Sequence, residues 1–396
     1  MINPRLDLLT DYPFRRLADL LQDSPGAEPI VMSIGEPQHQ PPAMVADILT
    51  EQASGWGKYP PMAGTPAFRA AVAAWLTRRF HLAADAIDAD NQILPLAGTR
   101  EGLFQIAHLI CDATKSGKPP VVLLPNPFYQ VYAGAALLAG AEPVFVPAGR
   151  ENGFLPDYSA LPPAILQRAA LAYLCNPANP QGTVASLDYL EATIGLARRY
   201  GFTLAVDECY SEIYDHAEPA GALEACTRLG GGMDGVVIFH SLSKRSSAPG
   251  LRSGFVAGEP QLISAFGRLR SYGGAAVPLP ILAASTALWQ DETHVEVNRA
   301  LYRAKLDVAA EIFGDRLGFY RPAGGFFLWL DVGDGERAAK RLWTEAGVRV
   351  LPGAYLARSG ADGINPGASF IRVALVHDLE TTRRALTRIA ALLVEA

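Results

Sequence analysis

Lysine is scarce in this 396-residue chain: only six of its 34 basic residues are lysine. Cysteine is scarcer still, at positions 111, 175, 209 and 226, with no CxxC pair and no histidine at ligand spacing. That rules out a disulfide framework or a zinc site as the organising principle; the cysteines read as reduced thiols, and no metal is expected. No apolar run reaches the roughly 18 residues of a membrane span. The opening MINPRLDLLTDYPF has aspartate and proline where an export signal needs a basic start and an apolar block, so a cytoplasmic location is expected. Charge lacks direction as well. Forty acidic and 34 basic residues, net −6, are spread along the chain without a basic stripe or a polybasic anchor, so neither nucleic acid nor membrane is an expected partner.

What the chain has in quantity is apolar residues, 49% of the total, enough for a large core. From about residue 65 to 260, helical periodicity alternates with short β-branched runs, as in a mostly parallel sheet covered by helices. Thr65-Pro66 opens one helix, with threonine as cap and proline in the first turn. The expected strands are VVLL (121–124), PVFV (143–146), LAYLC (171–175), TLAV (203–206) and VVIF (236–239), apolar enough for burial on both faces. Beyond residue 278 a long helix leads to FFLWLDV (326–332), VRVL (348–351), FIRVAL (370–375) and a last amphipathic helix from Asp378. The expectation is an α/β protein with a large domain over 46–285 and a smaller α/β domain made of 1–45 and 286–396. GGGMDG (230–235) contains GxGxxG, yet it precedes a strand instead of following one, and reads as a turn.

Ligands of open α/β sheets bind beyond the carboxyl ends of the strands. There the sequence places Asn176 to Gly182 after LAYLC, Asp207 to Tyr210 after TLAV, and His240 to Lys244 after VVIF; Gly98-Thr99-Arg100 opens a further helix. Each has an ordinary reading as turn chemistry, a helix cap or a solvated lysine. Together they gather at one sheet edge and suit a cofactor with a phosphate, a basic ring nitrogen, a phenolic oxygen and an aldehyde. The helix start at Gly98-Thr99, with Ser241 and Arg252, suits the phosphate. Asp207 would keep the ring nitrogen protonated, and Tyr210 and Asn179 suit the phenolic oxygen. The aldehyde needs an amine, and guanidinium is too basic to bond it, which explains a lysine at position 244 in an arginine-rich chain.

These residues resemble the class I/II aminotransferases, pyridoxal 5′-phosphate (PLP) enzymes of fold type I. SLSKRSSAPGLRSG (241–254) looks like their cofactor-lysine signature, with Ser253 a departure from the more usual aliphatic residue or alanine. The likeness extends in order through IGEP (34–37), YPPMAGTPAFR (59–69), GTREG (98–102), PNPFYQVY (125–132), NPANPQGT (176–183), DECYSEIY (207–214) and FIRVAL (370–375). It implies that Lys244 bonds the aldehyde and Asp207 holds the ring nitrogen. Tyr210 and Asn179 would bond the phenolic oxygen, with Tyr129 on the ring face. Ser241, Arg252 and the Gly98–Arg100 turn would take the phosphate, and Tyr59 would reach in from a second subunit of a homodimer. Arg372 would clamp the substrate's α-carboxylate, helped by Asn179 and the Gly35 backbone. A strand arginine between Ile371 and Val373 is independently costly to bury without an anion.

Lys244 would then carry the α-proton, its pKa lowered by burial beside cationic Arg252. Small amino and keto acids are the implied substrates. The opening NPRLDLLTDYPFRRLADLL and the lysine segment look like the N-succinyldiaminopimelate aminotransferase branch, with glutamate as amino donor. Arg15, Arg16, Arg268 and Arg270 are each candidates for a distal carboxylate. N-acetylornithine, aspartate or aromatic transamination, and a PLP carbon–sulfur lyase, stand as alternatives.

Overall fold

The computed structural model describes residues 2–360 and 362–394. Twelve strands are defined among them: β1 (Ile30–Val31), β2 (Ile93–Leu96), β3 (Val121–Asn126), β4 (Glu142–Pro147), β5 (Ala169–Cys175), β6 (Thr203–Asp207), β7 (Val236–Ser241), β8 (Gly254–Gly258), β9 (Phe327–Asp331), β10 (Val348–Arg349), β11 (Leu351–Pro352) and β12 (Phe370–Ala374). Seven form the main sheet in the order β2-β8-β7-β6-β5-β3-β4, parallel except for β8, which runs antiparallel to both neighbours.

The strand period of two divides the apolar residues between two cores. Leu174, Leu204, Val206 and Ile238 face the helices Pro66–Arg79, Leu187–Tyr200, Ala222–Leu229 and Leu279–Gln290. Their neighbours Tyr173, Ala205, Val237 and Phe239 face Thr99–Ile110, Gln130–Leu138 and Pro260–Gly273. Thr65 caps its helix as expected, its Oγ1 accepting from the Phe68 N–H at 3.2 Å. GGGMDG is indeed a turn, between Ala222–Leu229 and β7, with Gly230, Gly231, Gly232 and Gly235 at positive φ.

Two local expectations are corrected, and two strands were not foreseen. PVFV lies in the edge strand β4, half-exposed along most of its length, because no strand among the described residues pairs beyond it. VRVL is split: β10 pairs with β1, and β11, after Val350, joins the antiparallel order β11-β12-β9. The strands β2 and β8 lacked a sequence signal, since Pro95 interrupts one and two glycines bound the other. β8 matters most. It brings the chain back along β7, Gly254 opposite Ser241, so the intervening turn carries Lys244 over the sheet edge. A Cβ on Gly254 would lie 2.5 Å from the His240 carbonyl oxygen, so only glycine lets the strands pair this closely.

The sheet of β9, β11 and β12 has its own core, where Leu328, Leu330, Ile371 and Val373 meet Leu306, Phe313, Leu386 and Ile389. Ile30 and Met32 join it, whereas Pro4–Leu8 packs on Gln130–Leu138 and Met44–Glu51 on Leu279–Gln290. No helix among the described residues is long and apolar enough to cross a membrane.

Candidate active site

Strand register sets the site. Cys175 lies opposite Asp207, and Asp207 opposite Phe239, so β5, β6 and β7 release their loops at one rim. A cleft of about 610 Å³ opens there, lined by Gly35, Thr99, Arg100, Tyr129, Asn179, Asp207, Tyr210, Ser241, Lys244, Arg252 and Arg372. Eleven of the residues singled out in the sequence thus meet in one place.

Three ionisable groups there have no opposite charge in contact among the described residues. The Lys244 amine donates to the Gly35 carbonyl oxygen and lies 5.4 Å from the Phe326 ring centre. Burial lowers its pKa to about 8, and the cation adding to that effect is Arg372; this corrects the assignment of the role to Arg252. Asp207, 5% exposed, accepts from the Tyr132 hydroxyl at 2.7 Å and the Cys209 N–H at 3.3 Å. Burial pushes its carboxyl up, and no basic side chain among the described residues forms an ion pair with it. Arg372 sits on β12, the middle strand of its sheet. Its guanidinium donates to Asn179 Oδ1 at 3.1 Å and the Ser33 carbonyl at 2.8 Å, leaves Nε without a partner, and lies over Phe327. Burial lowers this pKa to about 10, so the group stays cationic at neutral pH, and no carboxylate among the described residues pairs with it.

Thr99, Ser241, Ser243 and Arg252 line another part of the cleft. Arg252 has a left-handed backbone at φ 54°, and its guanidinium donates to the Pro249 carbonyl at 2.9 Å and the Ala97 carbonyl at 3.1 Å. It crosses directly over Gly98, where a Cβ would lie 2.2 Å from the arginine's Nη2. Gly98, at φ 82°, caps the helix that starts at Thr99, so free N–H groups point the same way. Ser241 Oγ donates to Ser243 Oγ at 2.9 Å. The unusual Ser253 is satisfied away from the cleft, accepting from Ser285 Oγ at 2.7 Å.

Asn179 Nδ2 comes within 3.5 Å of the Tyr210 hydroxyl, and Tyr129 accepts from Arg100 Nε at 2.7 Å. Burial raises the Tyr210 and Tyr129 pKa values, so both phenols are neutral donors. Tyr59 lies outside the cleft and is fully exposed. Of the distal-carboxylate candidates, Arg270 is withdrawn: it is buried, bonded to Glu101, and donates to Ala275 O at 2.8 Å. Arg15 and Arg268 are exposed, and Arg16 lies 3.9 Å over the Tyr355 ring.

Sequence reasoning missed Tyr132, the hydroxyl on Asp207; Ser243, beside Ser241; and the wall formed by Tyr12, Phe14, Glu36 and Gln130. Tyr132 follows Tyr129 by one helical turn, a spacing that in sequence signals only a core face. Arg358 was missed too. It donates to Gln130 Oε1 at 3.2 Å and lies 5.3 Å from the Phe128 ring centre, and Gln130 and Phe128 both line the cleft.

The family described as aminotransferase class I and II matches residues 27–389. An LL-diaminopimelate aminotransferase of Desulforudis audaxviator (strain MP104C) is 33% identical over 396 residues, covering 97% of this chain and 98% of its own. An aminotransferase structure from Neisseria meningitidis Z2491 superposes with a TM-score of 0.94 at 41% identity, covering 99% of this chain and all of the other. A probable N-succinyldiaminopimelate aminotransferase from Thermus thermophilus gives 0.81 at 27% identity, covering 95% and 97%. The chain belongs to the class I and II aminotransferases, α/β enzymes of fold type I that work with pyridoxal phosphate.

Proposed function

We propose that the enzyme exchanges an amino group between glutamate and N-succinyl-2-amino-6-oxopimelate, a step of diaminopimelate and lysine biosynthesis. The observation carrying the chemistry is the buried trio in one cleft: an amine at 244, a carboxylate at 207, and a guanidinium at 372 that faces no acid among the described residues.

Pyridoxal phosphate fits these residues. A raised, unpaired carboxyl at Asp207 suits a protonated ring nitrogen, and the donors around Gly98 suit a phosphate. Asp207 would hold the ring nitrogen, and Arg252, Ser241, Ser243 and the Thr99 helix start the phosphate. Tyr210 and Asn179 would take the phenolic oxygen, and Tyr129 the ring face. Bound there, the cofactor supplies an aldehyde that bonds amines and a ring that stores the electron pair left when an α-proton departs. The chain does the rest. Arg372 fixes the substrate's α-carboxylate and so its orientation, while Lys244, neutral in useful proportion near pH 8, moves the α-proton.

Two findings support a substrate with a second acid end. One is the names that the relatives carry; the other is Arg358, whose pKa burial lowers and neighbouring Arg16 lowers further, with no carboxylate among the described residues in contact. The name of the D. audaxviator relative favours a second reading, in which LL-diaminopimelate itself is the substrate. The test supplies PLP-loaded enzyme with 2-oxoglutarate and either N-succinyl-LL-diaminopimelate or free LL-diaminopimelate, and measures glutamate. The expected result is a kcat/KM about tenfold or more higher for the succinylated acid, with no product from Lys244→Ala. The reverse order establishes the second reading. Turnover of other amino acids but neither of these removes diaminopimelate and leaves the enzyme class.

A further inference from the structure

A second lysine is buried behind the site. Lys305, 2% exposed, has no acid in contact among the described residues; its Nζ lies 2.6 Å from His39 Nε2 and 3.2 Å from the Leu375 carbonyl, against the Tyr302 ring. On its other side His39 Nδ1 lies 2.7 Å from Asn298 Oδ1. Asn298 Nδ2 reaches the backbone carbonyls of Lys244 at 3.1 Å and Arg245 at 3.2 Å.

The donors along this chain follow by elimination. Backbone carbonyls only accept, so the amide nitrogen of Asn298 must face them and its oxygen must face His39. That oxygen accepts, so His39 carries its proton on Nδ1. Nε2 must then accept from Lys305. A doubly protonated ring would set an N–H against an ammonium, so His39 is neutral, in line with the lowering of its pKa by burial. Asp378 is the acid acting on Lys305, and Tyr302, its ring centre 4.6 Å from that of His39 and tilted by 43° to it, has a buried hydroxyl that bonds neither.

We propose that Lys305 and His39 are positioning residues for the reactive amine: Lys305 holds His39 in one neutral tautomer, and His39 orients Asn298 to clamp the turn carrying Lys244. The same histidine fixes the other side of that amine. Its carbonyl accepts from Ser247 Oγ at 2.8 Å, which anchors the segment whose Gly35 carbonyl receives the Lys244 Nζ. Through Leu375 the network also reaches the end of the strand bearing Arg372, three residues away. It joins the proton-moving and carboxylate-binding groups without touching substrate, and it rests on Lys244 being the reactive amine.

The test compares Lys305→Met, His39→Phe and His39→Gln with wild type. Glutamine keeps one acceptor and one donor; phenylalanine keeps neither. In enzyme stripped of cofactor, the pH dependence of Lys244 acylation, read by mass spectrometry, gives the midpoint of its amine. Lys305→Met and His39→Phe loosen the Gly35 carbonyl that favours the protonated amine, so the midpoint falls by about half a pH unit or more. In loaded enzyme kcat falls about tenfold with KM for glutamate nearly unchanged, and His39→Gln restores both readings. A folded Lys305→Met with wild-type midpoint and kcat overturns the proposal. If that variant does not fold, the histidine pair decides, and equal behaviour of Gln and Phe overturns it. Wild type that binds no pyridoxal phosphate defeats the functional reading instead, while the labelling midpoints still judge the network.

Discussion

At the scale of single residues, the site depends on charges kept apart from their partners. The Lys244 pKa falls from 10.5 to about 8 chiefly through burial, so the neutral, reactive fraction grows as pH rises through 8. The rate at which stripped enzyme takes up pyridoxal phosphate should rise roughly tenfold between pH 7 and 9 and then level off, followed by stopped-flow absorbance. A rate still climbing steeply above pH 9.5 would mean an ordinary lysine. Arg372 tests the opposite charge. Lysine there keeps the cation but loses the planar fork that binds a carboxylate through two parallel bonds, so Arg372→Lys should lower kcat/KM for glutamate about a hundredfold, mostly through KM. Its bound-cofactor spectrum should stay that of wild type.

At the scale of elements, the phosphate pocket is a helix start pressed against an arginine. Gly98→Ala adds a methyl into the Arg252 guanidinium at a backbone angle that side chains avoid. Cofactor affinity should drop about tenfold or more in an absorbance titration, because both the arginine and the helix N–H groups must shift. Gly195→Ala is the counterpart: inside the helix Leu187–Tyr200, with open space around the added methyl, it should stabilise the protein by about 0.5–1 kcal/mol in thermal or denaturant unfolding. Legibility also varied by element. Strands buried on both faces announced themselves as apolar runs, and so did the polar clusters that follow them, since a loop at a strand's carboxyl end has few reasons to be unusual. β8 did not, because its pairing is fixed by the absence of side chains at Gly254 and Gly258. Arg270 misled for the opposite reason: a guanidinium in a helix pattern gives no sign of whether it meets Glu101 or open water.

At the scale of the whole molecule, Tyr59 is fully exposed, with Trp56 half-exposed nearby, a costly placement for aromatics unless something covers them. The proposed cover is a second subunit whose cofactor phosphate Tyr59 reaches. Sedimentation should show a dimer, and Tyr59→Phe should loosen the cofactor while leaving the unfolding temperature of the stripped enzyme unchanged. A monomer with full turnover would end that proposal. The sequence by itself determined the chemistry on offer: one lysine among serines, an aspartate after a strand, an arginine inside one, all at the edge where parallel strands end. That much is local, because strand and helix periods and turn residues act over a few positions. Only the tertiary structure decided which charges go unpaired. It set Arg372 instead of Arg252 beside the amine, tied Arg270 to Glu101, placed Tyr132 on Asp207, and ran Lys305 through His39 to the back of Lys244. Those pairings join residues tens to hundreds of positions apart, and burial, which sets their strength, exists only once the chain has closed around them.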